Sequence, residues 1–385
     1  MISFEFATAT RIIFGAGSVA QVAPAARQMG ARALLIDGTG AGIVERVAHD
    51  LAGQGIDVLR YKARGEPTVE GVQAATDQAR ETGRDLVIGV GGGSAMDTAK
   101  AVAALLANGG EPLDYLEIVG RGKALSRPSA PCIAVTTTSG TGAEVTRNAV
   151  VASKAHAIKA SMRSPTMYVR LAVVDPELTL GVPPAVTANT GLDALTQLIE
   201  PFVCDRANPL TDGYCREGMA RAARSLRRAF EHGHDAAARE DMALASLLGG
   251  LALANAGLGA AHGLAAPIGG EFPGPHGALC ARLLPPVMAA NVQALSQRAP
   301  ESAGLARYDE VARILTGNAG ARAADGVAWV VELGRALNVP PLSAYGVGAA
   351  DLPALAEKGA AASSMKANPI RLTHAEIVAI LEQAL

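Results

Sequence analysis

The sequence has no block of one charge sign. Its 34 basic and 36 acidic residues are interspersed over 385 positions, for a net charge of −2. With no basic cluster to neutralise phosphates, a nucleic-acid partner is not expected. A CxxC pair is also missing. The four cysteines, Cys132, Cys204, Cys215 and Cys280, stand far apart, which argues against a disulfide framework and for a reducing, cytoplasmic setting. Between Met1 and Phe14 there is no basic segment followed by an unbroken apolar run and a small-residue cleavage site, so no export signal is expected and the chain is expected to start at Met1. Uncharged runs of membrane-spanning length are scarce. The one that exists, Ala243 to Gly270, is Ala/Gly-rich and broken by Ser246, Asn255, His262 and Pro267, which predicts a buried helical hairpin and no membrane partner.

What is present is apolar enough to fold. Hydrophobic residues make up 49% of the chain, which excludes a disordered polymer, and the length exceeds one ordinary core, so two domains are expected. From Arg32 to about Asp175, strand-length apolar runs alternate with amphipathic segments, the pattern of a parallel sheet wrapped by helices. The predicted strands are Ala33–Ile36, Val58–Tyr61, Leu86–Gly89, Cys132–Val135 and Leu171–Val174; the predicted helices are Val19–Met29, Ala41–Gln54, Val69–Thr82 and Ala95–Leu106. After Pro183-Pro184 the chain turns to Ala/Leu/Arg/Glu stretches such as Thr211–His232 and Ala236–Ala256. The expected fold is therefore an α/β domain over residues 1–183 and an all-α domain over 184–385.

Three stretches of the first domain carry ligand-binding chemistry. Gly91-Gly92-Gly93-Ser94 joins an apolar strand to a helix, where glycines permit close approach and a serine-capped helix N-terminus suits a phosphate. That spacing matches neither GxGxxG nor a P-loop. Asp37 ends an earlier strand and is placed to accept from an adenosine ribose and to repel a 2′-phosphate, favouring NAD over NADP. Thr137, Thr138 and Thr141 belong to a hydroxyl-rich loop at the end of the strand Cys132–Val135. Asp97, in the helix after the glycines, and Lys159 complete the candidate cofactor contacts. In the second domain, Asp193 and Gln197 are four apart on one helix face. His262 and His276 are fourteen apart, and Pro267, Pro273 and Pro275 forbid a continuous helix across that gap, so the two imidazoles sit on separate elements that can converge.

These motifs run in order along the whole chain. Ile12-Ile13-Phe14-Gly15-Ala16-Gly17, the Gly91–Ser94 turn, Thr137 through Thr146, Asp175-Pro176-Glu177-Leu178-Thr179, Thr190 through Thr196, the His262/His276 pair and Asn368-Pro369 together resemble the iron-containing (group III) alcohol dehydrogenase family, including its maleylacetate reductase branch. The resemblance implies a Rossmann-like parallel-sheet domain and a helical domain in a dehydroquinate synthase-like architecture, with NAD(H) and a divalent metal in the cleft between them. It also implies an assembly of two or more copies, with Ile2–Phe6 as a strand able to pair across a two-fold. In metal-binding members the ligands are an aspartate, a histidine four residues later, and two histidines fourteen apart. Asp193, His262 and His276 match three of these, and Gln197 stands where the fourth belongs. A side-chain amide is a weaker donor than imidazole, so Fe2+ or Zn2+ held by Asp193, Gln197, His262 and His276 is expected to be weakly bound. Ala266 occupies the position of a proton-relay histidine, and Pro286 that of a further histidine.

The resemblance thus implies hydride transfer between NAD(H) and a small alcohol or its carbonyl compound, with metal assistance. Two alternatives stand beside it. One is a metal-independent reductase of an oxo-acid, with His262 or His276 as catalytic proton donor and Arg147 or Arg163 pairing the substrate carboxylate. The other is a nucleotide-binding protein without catalysis. Small residues Ala265, Ala266 and Gly269 suggest room near the nicotinamide.

Overall fold

A computed structural model describes residues 3–39, 42–156 and 158–385, and the chain divides into two compact units. The first comprises Ala7–Thr138 and Gly142–Leu180; the second comprises Gly181–Leu385 with Met1–Phe6 and Ser139–Thr141.

The first unit is built on a six-stranded, wholly parallel sheet. Its strands are β1 (Ile12–Phe14), β2 (Arg32–Asp37), β3 (Asp57–Lys62), β4 (Leu86–Gly91), β5 (Cys132–Thr136) and β8 (Leu171–Val174), in the order β1-β8-β5-β4-β2-β3. The helices α1 (Val22–Arg27), α2 (Gly42–Gly53), α3 (Val69–Glu81), α4 (Gly93–Asn108) and the short α5 (Pro112–Tyr115) connect them, and β6 (Asn148–Ser153) and β7 (Ile158–Arg163) form a separate antiparallel pair. All five predicted strands are present. β1 is only three residues long, too short to show a period, and β6 and β7 carry small and polar side chains that hide their alternation. The predicted helix Val19–Met29 is a 3-10 turn, Ser18–Gln21, running into α1. Gly40 and Ala41 lie outside the described residues. Ile2 does too, and Ser3–Phe6 form no strand.

Chain direction across the sheet reverses once. From β2 the chain steps outward to β3, then returns past β2 to β4 and continues outward through β5 and β8. The crevice beyond the carboxyl ends of β2 and β4 is thus a topological switch point, the usual ligand site of such sheets. The glycines there are steric requirements. A Cβ on Gly91, whose φ is +154°, would lie 2.8 Å from Ala95 Cβ and 3.0 Å from Gly38 Cα. Asp175 ties β8 to the turn after β1, accepting from Gly17 N at 3.2 Å and Val19 N at 3.1 Å.

Lys100 of α4 is fully buried and clamps the segment after β5. Its ammonium donates to Ala143 O at 2.8 Å, Thr146 Oγ1 at 3.0 Å and Asn148 O, and pairs with Asp97 at 3.0 Å. Beside it Glu144 is buried, with Oε2 lacking a hydrogen-bond partner. Burial pushes its carboxyl up to about 7, against the attraction of Lys100.

The second unit is helical: α6 (Pro184–Val203), α7 (Pro209–Glu231), α8 (Ala236–Asn255), α9 (Ala260–Glu271), α10 (His276–Arg298), α11 (Ala303–Thr316), α12 (Ala323–Ala336), α13 (Leu352–Ala361) and α14 (His374–Ala384). Nearly every residue of α6 from Gly191 onward is buried, marking it as the central helix. The Ala243–Gly270 stretch is not an antiparallel hairpin: α8 and α9 meet at an elbow of 95°. α9 also continues through Pro267, and the break falls at Phe272–Pro275. Ala265 of α9 packs into the core of the helical unit and Gly269 is buried as well, whereas Ala266 is exposed.

The position of Glu144 sets a pH dependence. Its folded value of about 7 exceeds the ordinary 4.5, so the stability it contributes is complete below about pH 4.5 and is lost as pH rises through 7. Glu144→Gln should flatten the fall in melting temperature between pH 5 and pH 8, and thermal unfolding followed across that range checks it.

Candidate metal and dinucleotide sites

Of the predicted cofactor contacts, most gather at the switch point. Asp37 ends β2, paired in register with Val90, and is buried; Oδ1 accepts from Thr39 N at 3.0 Å and Oδ2 lies 3.5 Å from Arg60. The Gly91-Gly92-Gly93 turn follows β4 directly alongside. Ser94 is not the cap of α4: that position is Gly92, with no side-chain cap, and Ser94 lies within the first turn. An N-terminus capped by no side chain has its first amides available to an anion. Thr137 N donates to Gly91 O at 3.0 Å, and a Cβ on Gly92 would come 3.2 Å from Thr138 Oγ1, so the hydroxyl loop and the glycine turn form one wall.

Three predicted contacts have other partners or neighbours. Thr141 clusters with the helical unit, beside Gly140, which packs so closely on Thr190 of α6 that a Cβ would approach to 2.6 Å. Asp97 is engaged inside the protein, accepting from Val150 N at 3.0 Å as well as pairing with Lys100. Lys159 pairs with Glu66 at 2.5 Å. Arg163 lies 3.5 Å from Glu117.

In the helical unit α6, α9 and α10 bring Asp193, His262 and His276 together. His262 Nε2 lies 3.4 Å from Asp193 Oδ1, His276 Nε2 lies 4.0 Å from that same oxygen, and the two rings are 5.5 Å apart. Close approach of α10 to α6 depends on Gly277, where a Cβ would meet Asn189 O at 2.5 Å and Asp193 Cβ at 3.3 Å. Asp193 and His262 are buried, while the His276 side chain is 40% exposed.

Two residues that were not singled out from sequence prove to shape this site. Glu200, on α6 one turn beyond Gln197, accepts from Ala261 N at 2.7 Å and contacts His262 Nδ1 at 2.6 Å. That contact assigns the Nδ1 proton to the Glu200 side and turns the Nε2 lone pair toward Asp193. Its sequence signal is spacing: Asp193, Gln197 and Glu200 share one helical face. Cys280 lies one turn after His276, with Sγ 3.6 Å from His276 Nε2. Gln197 donates its amide to Asp193 Oδ2 at 3.0 Å, and its own Oε1 is buried without a partner.

Asp193 Oδ1 and His262 Nε2 are likewise buried without a hydrogen-bond partner. With the Nδ1 proton on the Glu200 side these are two buried acceptors, which repel unless a proton or a metal cation lies between them. Burial raises the Asp193 carboxyl, but the neighbouring His262 and the His276 charge outweigh it and hold it below its ordinary range. The His276 imidazole is pushed up to about 9, chiefly by Cys280 and against burial. The chemistry of the donors fits a divalent transition-metal ion.

Both halves of the chain match family profiles: residues 9–176 fit "iron-containing alcohol dehydrogenase", and residues 187–385 fit its C-terminal domain. The chain belongs to the iron-containing alcohol dehydrogenase family. Alcohol dehydrogenase 4 of Saccharomyces cerevisiae is 36% identical over 345 residues, covering 89% of this chain and 87% of that protein. The structure of a 1,3-propanediol oxidoreductase superposes with a TM-score of 0.92 at 32% identity over the full length of both chains. That of a sulfoacetaldehyde reductase from Bifidobacterium kashiwanohense, in complex with NAD+, gives 0.87 at 26% identity, covering 100% of this chain and 99% of that one. Membership of this family makes the chain an NAD-dependent enzyme that interconverts an alcohol and its carbonyl compound.

Glu200 positions His262, and its loss should be felt by a divalent ion offered to these donors. Glu200→Gln is expected to weaken divalent-metal affinity by about 10–100-fold, as removal of a carboxylate behind a ligating histidine does. Competition with a chromophoric chelator measures this directly.

Proposed function

We propose that catalysis is assisted by a divalent cation held in the helical unit, with Asp193, His262 and His276 among its ligands, and that the dinucleotide lies at the switch point of the sheet. The observation that carries the reading is the buried, unpartnered pair of Asp193 Oδ1 and His262 Nε2. A bound cation supplies Lewis-acid polarisation of the substrate carbonyl and stabilises the alkoxide that develops. The residues around it prepare that chemistry. Glu200 fixes the tautomer and direction of His262, and Gln197 steadies Asp193 through Oδ2, leaving Oδ1 turned inward. His276 keeps one side toward solvent, where a small substrate gains access. With Ala266 exposed at the relay position, the alcohol proton is exchanged with water rather than with a side chain of α9.

For the dinucleotide, the first turn of α4 and the Gly91–Gly93 backbone hold the pyrophosphate, with Thr137 and Thr138 beside it. Asp37 holds the adenosine ribose and disfavours a 2′-phosphate. The Asp97 and Lys159 contacts are ion pairs that support the fold of this unit, so neither is required to touch the cofactor.

Two measurements test this. Anaerobically purified protein offered iron and zinc should hold about one metal per chain by elemental mass spectrometry, and Asp193→Ala should lose both the metal and NADH oxidation with aldehydes. Turnover without metal would favour the metal-free oxo-acid reductase, and NADH binding without turnover on a broad carbonyl panel would favour a binding protein. Asp37→Ser should raise kcat/KM with NADPH by about tenfold or more relative to NADH, since removing one charge repulsion near a phosphate is worth about 1–2 kcal/mol; steady-state kinetics with both cofactors check it.

A further inference from the structure

Cys280 has no role in the family pattern, yet it stands among the metal-ligand candidates. Asp193, His262, His276 and Cys280 each present one donor atom, and these four atoms lie within 4.8 Å of one another. Cys280 is fully buried on α10, one turn beyond His276, so both side chains leave the same face of that helix toward α6. Bonds of about 2.0–2.1 Å to nitrogen or oxygen and about 2.3 Å to sulfur separate two donors of a tetrahedral ion by about 3.4 Å and 3.6 Å respectively. The observed His262–Asp193 and Cys280–His276 separations are 3.4 Å and 3.6 Å, and the His276–Asp193 separation is longer, at 4.0 Å. The position four residues after Asp193, meanwhile, is filled by a residue whose amide is turned to Asp193 itself.

From this geometry we infer that Cys280 Sγ, as a thiolate, is the fourth protein ligand of the cation, taking the place that Gln197 vacates, and that Gln197 is a positioning residue for Asp193. The inference rests on the metal-assisted reading above and refines it. Binding proceeds with loss of the thiol proton to solvent and formation of one metal–sulfur bond, with no change of oxidation state. A donor set of one thiolate, two imidazoles and one carboxylate is softer than the family's three imidazoles and a carboxylate, and it suits Zn2+ better than Fe2+. The sulfur also removes the weakness expected of a glutamine ligand. The half-exposed side of His276 leaves the ion room to accept a further, substrate oxygen.

The test uses the full-length protein stripped of metal and reloaded with Zn2+ or Co2+ under anaerobic conditions. Zinc-edge X-ray absorption should show one sulfur scatterer at about 2.3 Å. The Co2+ protein should show a thiolate-to-metal charge-transfer band in the near ultraviolet. Cys280→Ser, close in size and suited to retaining the fold by circular dichroism, should abolish the sulfur shell and the band and weaken Zn2+ by at least the roughly 10–100-fold seen for loss of a group that merely supports a ligand. Gln197→Leu should keep both sulfur signatures. One bound metal with no sulfur shell and no charge-transfer band in the unaltered protein would overturn the assignment of Cys280 while leaving the metal-assisted reading intact. No Zn2+ or Co2+ bound at all would overturn both.

Discussion

Two acceptor atoms, Asp193 Oδ1 and His262 Nε2, face each other 3.4 Å apart in the buried centre of the helical unit. Left alone, that arrangement is costly, because neither atom has a hydrogen-bond donor from the protein. Much of the surrounding structure holds it in place. Glu200 spans the gap from α6 to the first turn of α9, fixing both the backbone at Ala261 and the ring of His262. Asn368 completes that turn by accepting from Ala260 N at 3.1 Å, and it is itself locked to Asn291 of α10 by hydrogen bonds of 2.7 and 3.1 Å. A buried network satisfied at each of these points can impose a strained central pair on three helices at once.

The sheet unit solves a different problem, the close approach of backbone to an anion. Side chains are removed where strands β2 and β4 deliver their loops, and Gly38, Gly91 and α4 come within distances that no Cβ permits. The buried ammonium of Lys100 then fixes the neighbouring Thr/Gly segment to α4 through three oxygen acceptors. The flexibility that glycine brings to the turn is thus confined by a charge that has nowhere else to go.

Much of this was legible in the sequence, and the failures have physical causes. Alternation of apolar runs with amphipathic segments located five of the six strands of the parallel sheet, and helix spacing placed Asp193 and Gln197 on one face. The His262/His276 pair was correctly assigned to separate elements, but for an incomplete reason: Pro267 costs α9 one hydrogen bond without ending it, and the break comes where Pro273 and Pro275 follow closely. Asp97 and Lys159, expected to touch the cofactor, also have partners within the sheet unit, Val150 and Glu66, which sequence reading did not find because they are remote along the chain. Ser94 read as a cap because caps are ordinarily polar, whereas the helix starts a residue earlier, at Gly93. Cys280 was passed over because a cysteine among alanines and leucines behaves as a small hydrophobe unless a fold brings donors to it.

An imidazole four residues after Asp193 and a thiolate four residues after His276 are alternative ways to add a donor, each one turn along a helix that already carries a ligand. The choice changes the charge of the site. A divalent ion with one carboxylate and three imidazoles retains one positive charge; with a carboxylate, a thiolate and two imidazoles its charge is cancelled within the first shell. In a buried setting that neutrality lowers the cost of holding the ion, since less net charge is removed from water. It also lowers the pull the ion exerts on a carbonyl oxygen, because an electron-rich thiolate leaves a weaker Lewis acid. A site so composed trades polarising strength for retention of its metal, and leaves more of the activation of the carbonyl to orientation against the nicotinamide.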